Sequence, residues 1–357
     1  MTNFAGFSFN PEELKVLSEV IGEAVFNMRS LSENHVVEQG INYKQQIVFA
    51  SRLGMFTKGL KKGNDACDVN EAQPIQFTEK IWDPAKFDGR LVHCSATVDD
   101  QNKLINQFAR MNPDFFNRIE TDSQLANFLL AAASGALMEE VPWRVWFSDK
   151  DADVIAEGGV FVNAGDVDFF DQLDGLWKQI EAEIGSGDAN YVEIAKNSGA
   201  TAVLQELADN EALDILRAIW KGADKRLKLR TDKKLYVTDT MYDNLLATYE
   251  DRQANGGILT RLENGGALSF RGTEVVNMAN EWDVAIATYF TNAQGVAHQP
   301  HRALLTTPAN IPVATTSTGD LDKLDAFYDK KSRTNNIDAA YNLDAKFLES
   351  YLAVAAY

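Results

Sequence analysis

Two cysteines, Cys67 and Cys94, in a chain of 357 residues are too few for a disulfide framework. In a reducing compartment both read as free thiols, and with no CxxC or Cys/His cluster a structural zinc site has nothing to build it. Histidine is nearly as scarce, with four in the chain, which leaves few candidates for general base chemistry. No run of about 18 uncharged apolar residues occurs, and Met1 to Asn10 lacks a basic segment followed by an apolar stretch, so neither a membrane span nor a secretory signal is expected. The default address is the cytoplasm. Repeats of 20–50 residues and low-complexity tracts are missing, against solenoids and propellers. So are the GxSxG, HExxH, Walker and Rossmann patterns. Positive charge is in short supply as well: 34 basic against 52 acidic residues give −18, which argues against a surface that tracks nucleic-acid phosphates.

The 45% apolar content is enough for one large core or two moderate ones. Long helices alternate with strand-rich stretches. Asn10, Pro11 and Glu13 form a helix start, and Leu14, Leu17, Ile21, Val25 and Met28 give one buried stripe. Residues 60–100, punctuated by Gly59, Gly63, Pro74, Pro84 and Gly89, read as a long extended hairpin with too little apolar surface to fold alone. Asp122 caps an alanine-rich helix to about Glu140, with Leu125, Phe128, Leu129, Ala132, Ala136 and Leu137 inward and Pro142 blocking extension. A third helix opens near Asp166, with Phe170, Leu173, Trp177, Ile180 and Ile184 on its inner face. Thr201 to Trp220 is helical with a break at Asp209-Asn210. The strand Leu235-Tyr236-Val237 is followed by a Thr238-Asp239 cap and another helix, then a hairpin over Ala267–Phe270 and Glu274–Met278. Three strands close the chain, Leu324–Tyr328, Ile337–Asn342 and Ser350–Val354, the first two joined by a polar tip from Lys330 to Asn336.

Each cluster that invites a chemical role has a plainer reading. His298 and His301 form an HxxH pair, but Pro300 between them opposes a helix and no third ligand is set by spacing. Asp168, Asp171 and Asp174 read as a solvated acidic helix start. Asp99-Asp100 and Asp149 to Asp153 read as turns, the latter lacking the glycine and final glutamate of a calcium loop. Gly158-Gly159 precedes a strand, the wrong order for a phosphate cradle. The basic tip with Lys330, Lys331, Arg333 and Asn335 is either a soluble hairpin turn or a contact with an acidic patch on a neighbouring copy.

In order along the chain, an N-terminal helix and an extended stretch containing Phe77-Thr78-Glu79-Lys80-Ile81-Trp82 precede the alanine-rich helix. The stretch Phe169-Phe170-Asp171-Gln172-Leu173-Asp174-Gly175-Leu176-Trp177 comes next, then Leu235-Tyr236-Val237-Thr238 before Met241-Tyr242-Asp243-Asn244. Gly272-Thr273-Glu274-Val275-Val276-Asn277-Met278 with Trp282-Asp283, Arg302-Ala303-Leu304-Leu305-Thr306-Thr307 and Asn310-Ile311-Pro312-Val313 complete the series. No single piece is diagnostic. Together the series resembles the major capsid proteins of tailed double-stranded DNA bacteriophages, the Hong Kong 97-type fold.

That resemblance implies an α+β subunit with an N-terminal arm and helix (1–69), an extended loop (70–95), a peripheral domain built on a spine helix (96–142 and 311–357) and an axial domain (143–310). It implies hexamers and pentamers of identical copies tiling an icosahedral shell around double-stranded DNA without sequence-specific binding. An acidic wall that does not grip phosphates suits that role. The expected address is the virion, assembled in the host cytoplasm, with no membrane, cofactor or enzymatic activity. Portal, scaffolding or decoration proteins are further partners. The arm begins almost at Met1, so a fused scaffolding segment is not expected. Lysine–asparagine crosslinking is not carried over either, since Lys80 and Lys86 have no convincing catalytic environment. Phe77, Lys80, Trp82, Lys86 and Phe87 on the loop, and Lys330, Lys331, Arg333 and Asn335 at the hairpin tip, are the expected contacts with neighbours. Two alternatives stay open: an encapsulin-like protein compartment and a cytoplasmic metal-dependent hydrolase using His298, His301 and a carboxylate.

Overall fold

The computed structural model describes residues 11–50, 77–94, 124–151, 167–187, 189–254, 268–292, 294–318, 321, 323–329, 331–332 and 334–357. The expected cap Asp122, the glycines 158 and 159, Asp99-Asp100 and Cys67 lie outside them.

Helix α1 (Pro11–Phe26) buries Leu17, Ile21 and Val25 as their spacing requires, and Ser18 reaches across to accept from the Leu321 amide and donate to its carbonyl. A short α2 (Arg29–Asn34) leads to β1 (Val37–Gln39) and β2 (Gln46–Ala50). Strands β3 (Phe77–Ile81) and β4 (Ala85–Cys94) follow, then the spine helix α3 (Gln124–Phe147). Pro142 lies inside α3 and does not end it. An interior proline forfeits one helical hydrogen bond and costs about 3 kcal/mol. Past it Val145, Trp146 and Phe147 are all fully buried, and their packing outweighs that loss. The buried face also differs from expectation. Ala131 and Ser134 point inward, whereas Ala136 is exposed and Ala132 and Leu137 are half-buried.

The expected third helix is two: α4 (Val167–Phe170) and α5 (Leu176–Gly185). Gly175 makes the break. Its N–H donates to the Ser148 carbonyl at 2.7 Å, and a β-carbon there would stand 2.7 Å from the Ser148 nitrogen and 2.9 Å from the Trp146 carbonyl. The close approach that brings Trp177 onto Trp146, 6.0 Å apart between ring centroids, therefore requires glycine. Gly175→Ala is expected to cost about 1–3 kcal/mol in urea unfolding, because backbone cannot swing aside as a side chain can. Gly135→Ala, in an exposed part of α3 where an added methyl meets nothing within 4 Å, is the control and should be neutral or stabilising by up to about 1 kcal/mol.

Next come β5 (Asn190–Val192), α6 (Ala202–Gln205, capped by Thr201), α7 (Glu211–Gly222), α8 (Lys225–Leu229, capped by Asp224) and β6 (Lys234–Val237). Asn210 takes a positive φ of 66° at the expected break. Helix α9 (Asp239–Ala254) opens where the Thr238-Asp239 cap places it. The hairpin β7 (Ser269–Phe270) and β8 (Thr273–Asn277), α10 (Val284–Tyr289), β9 (Ala303–Thr306), β10 (Val313–Thr315), β11 (Lys323–Asp329), β12 (Thr334–Ala345) and β13 (Val354–Ala356) complete the order.

Two large sheets and the two-stranded pair β2-β3 organise these elements. One has the order β1-β10-β12-β11 with β4 paired to β12; the other runs β5-β13-β9-β6-β8-β7. The last strand does not join the terminal hairpin. Val354–Ala356 pairs parallel to β5 and antiparallel to β9, taking the C-terminus into the six-stranded sheet. The larger core joins α1, the end of α3, α5 and the inner face of both sheets, with Trp146 edge-on to Trp282 at 4.9 Å. The second core lies between the six-stranded sheet and α7 and α9.

Candidate functional site

The expected loop contacts fall on a stretch that is ordered by its own chain. Strand β4 pairs with β12 over ten residues, from Ala85 opposite Leu343 to Cys94 opposite Thr334, while β3 pairs with β2. Trp82-Asp83-Pro84 is the turn between them. Trp82 is fully buried against Ile41 and Ala314, its backbone N–H donating to the Gln45 carbonyl and its carbonyl accepting from the Lys44 N–H. Phe87 stacks on Tyr341 at 5.2 Å, and the Arg144 guanidinium lies over Phe87 at 4.4 Å and over Phe169 at 4.3 Å. Trp82 and Phe87, expected to wait for a neighbouring copy, are instead covered within the chain: pairing of β4 with β12 places Phe87 opposite Tyr341, and Ile41 and, on β10, Ala314 cover Trp82. Lys80 is also engaged internally, donating to the Phe347 carbonyl and to Glu183 at 3.2 Å. Lys86 is exposed. The Phe77 backbone lies in β3, and its side chain is outside the described residues.

What this hairpin does leave open is the outer part of β4. Leu91 and Val92 are 40% and 55% exposed. A groove of about 220 Å³ runs beside them between β4, β12 and the small-residue face of α3 at Ala133 and Ala136. Arg90 forms a two-pronged ion pair with Asp338 across the strands.

The hairpin tip is shorter than expected. Asn335 is inside β12, opposite Tyr328, and Thr334 and Asn336 are buried and hydrogen-bonded to each other. Polar residues extend the strand here because their side chains satisfy one another. Of the tip residues Lys331 is exposed, with its N–H held by Asp329; Lys330 and Arg333 lie outside the described residues.

The histidine pair has no free ligand face at His301. Its Nε2 donates to the Gln205 carbonyl at 2.5 Å, and its Nδ1 accepts from the Thr240 hydroxyl at 2.7 Å. Burial pushes His298 down to about 4 and lowers His301 as well. Among the described residues, no three histidine, cysteine, aspartate or glutamate side chains converge as a metal site would need.

Three buried ionic features escaped the sequence reading. Asp149, read as a turn residue, is fully buried and paired with Lys178 at 2.9 Å. Arg302, read as part of a strand, is 1% exposed and lies 3.6 Å from Glu181. Its only sequence signal is a lone cation at the head of an apolar run. Asp283 accepts from the Asp239 N–H at 2.9 Å where α9 begins, and burial pushes its carboxyl up to about 7. Protonation is favoured in the folded state. Its contribution is therefore fully present below about pH 4, the unfolded carboxylate value, and is lost as pH rises through about 7. Asp283→Asn keeps the acceptor without the charge. It should stabilise the protein by roughly 2 kcal/mol at pH 8 and little at pH 4, read from urea midpoints at the two pH values.

No model of a known protein family matches the chain, and no curated protein matches it in sequence. Solved structures do match. A chain of the satellite phage P4 procapsid aligns with a TM-score of 0.50 at 10% identity, over 99% of this chain and 93% of its own length. A chain of the capsid of a native GTA particle aligns with a TM-score of 0.50 at 11% identity, over 100% of this chain and 93% of its own. Aligned over nearly its whole length, the chain has the α+β, Hong Kong 97-type fold of those phage and particle shells.

Proposed function

We propose that this chain is the major capsid subunit of a tailed bacteriophage, assembling as hexamers and pentamers into an icosahedral shell around double-stranded DNA. The observation that carries this is the sharing of one fold over essentially the whole chain with subunits of two particle shells. The role is structural. The charge of −18 fits a wall that encloses DNA without gripping it. In this reading the five-stranded sheet with the spine helix is the peripheral part, and the six-stranded sheet with α7 and α9, including the C-terminal strand, is the axial part. Neighbours meet the hairpin through Lys86, Leu91 and Val92, and the tip through Lys331. Portal, scaffolding or decoration proteins are the further partners this reading allows, and the particle forms in the host cytoplasm.

Electron microscopy of the purified protein across a range of salt tests the reading. Icosahedral shells or capsomers are expected, and a monomer at every salt and protein concentration would overturn it. Nucleic acid inside particles made during infection distinguishes a phage capsid from a compartment filled with protein.

A further inference from the structure

The densest positive stretch of this acidic chain is not the hairpin tip but residues 217–234, with eight lysines and arginines against two aspartates. It covers the end of α7, all of α8 and the start of β6. The segment before it is opposite in sign: Glu206, Asp209, Glu211 and Asp214 stand between 206 and 216 without a single cation. Helix α7 joins the two. At about 1.5 Å per residue its twelve residues set these ends roughly 16 Å apart.

The six-stranded sheet shows that the separation is real. The basic end lies where Gly222 approaches Val354 and where Lys234 faces Thr306 in the β6–β9 pairing. Helix α8 is held there by Arg226, whose guanidinium stacks on Tyr351 at 3.7 Å. The acidic end lies at the other end of the same strands: Gln205, next to Glu206, accepts from His301 and donates to the Ala297 carbonyl. His301 leads directly into Arg302 and β9, whose Ala303 pairs with Val237.

Much of this charge is uncommitted. Arg226, Arg230 and Arg217 pair with Asp224, Asp232 and Asp214 beside them. Lys221 and Lys225 are exposed, and neither has a carboxylate partner among the described residues; the same holds for Glu206 and Asp209 on the acid side. Lys196 is near enough to His301 to act on its titration and offsets part of the acidic end. Both ends also carry exposed apolar side chains, Leu229 at 83% on the basic side and Val203 and Leu204 at 71% and 57% on the acidic side. A single charge on an exposed helix contributes little. An apolar contact ringed by opposite charges on its two faces is the pattern of a docking surface, with the charges giving register and approach rate.

Building on the shell reading, we propose that copies of this chain meet head to tail through the two ends of α7. Leu229, Lys221 and Lys225 of one copy pack against Val203, Leu204, Glu206 and Asp209 of the next. Two different patches that complement one another make a heterologous contact, and such contacts close into rings when the rotation between copies allows. One interface of this kind serves both five- and six-membered rings, since only the rotation differs.

Charge exchange tests it. Lys221→Glu with Lys225→Glu reverses the two contact cations at the basic end, and Glu206→Lys with Asp209→Lys reverses the two contact carboxylates at the acidic end. Each pair alone should abolish rings and shells in gel filtration and electron microscopy, while circular dichroism stays that of the wild type, because these side chains are exposed and hold no charged partner among the described residues. All four substitutions in one chain restore complementarity and should restore assembly. Assembly of either pair at wild-type concentration and salt, or failure of the fourfold variant to recover, overturns the contact while leaving the shell reading intact. A wild-type protein that never assembles overturns both.

Discussion

Arg302→Ala is expected to destabilise the protein by about 3–5 kcal/mol, the range for breaking a buried ion pair from one side. Arg302 is 1% exposed, at the head of β9. Its guanidinium lies over Trp177 of α5 at 4.8 Å and over Phe147, the last residue of the spine helix, at 5.5 Å. Its Nε donates to the Gln299 carbonyl at 3.2 Å, and Glu181 is 3.6 Å away. Burial lowers the arginine and raises the glutamate, so each depends on the other to stay charged. Alanine removes the stacking surface, opens a void among three elements and strands the Glu181 carboxylate. Arg302→Met refills the volume without the charge, and Arg302→Met with Glu181→Gln removes the stranded carboxylate as well. Urea unfolding should rank alanine worst, methionine intermediate and the double variant nearest to wild type. A loss under about 1 kcal/mol for alanine would mean that the joint between spine helix and sheet is held without Arg302.

Local rules carried much of the fold. The apolar stripe of α1, the break at Asn210, the Thr238-Asp239 cap and the β7–β8 hairpin are written in neighbouring residues, and each stands where its pattern puts it. The failures are all long-range. Pro142 stays inside α3 because three side chains beyond it are buried by elements elsewhere in the chain. The split at Gly175 depends on the backbone of Trp146 and Ser148. The final strand passes to the other sheet because β5 and β9 await it there, a choice that alternation in Val354–Ala356 does not encode. On the proposed contacts, the polar character of residues 330–336 drew attention to a tip of which half is strand. The larger basic stretch at 217–234 takes on meaning only when the sheet places an acidic end opposite.

Trp82→Ala should destabilise the isolated subunit by about 3–5 kcal/mol, as large-to-small changes at fully buried aromatics do. Loops that project from a subunit are usually stabilised by partners, and on that ground Trp82 was expected to be a contact between copies. Its surroundings are Ile41, Ile47 and Ala314 of its own chain, with no exposed surface. The indole N–H has no acceptor among the described residues, so its contribution is apolar packing alone. That packing ties the turn between β3 and β4 to β10, and the Asp83 N–H donates to the buried Asp344 carboxylate 2.6 Å away. Removing the indole should loosen this turn first, lowering the urea midpoint of the monomer and its hydrogen-exchange protection at residues 80–84. Val92→Asp provides the contrast. At 55% exposure it should leave the monomer within about 0.5 kcal/mol of wild type, yet weaken shells if the outer part of β4 meets a neighbour. The reverse result, an unaltered Trp82→Ala monomer that fails to assemble, would place the indole in a neighbouring copy after all.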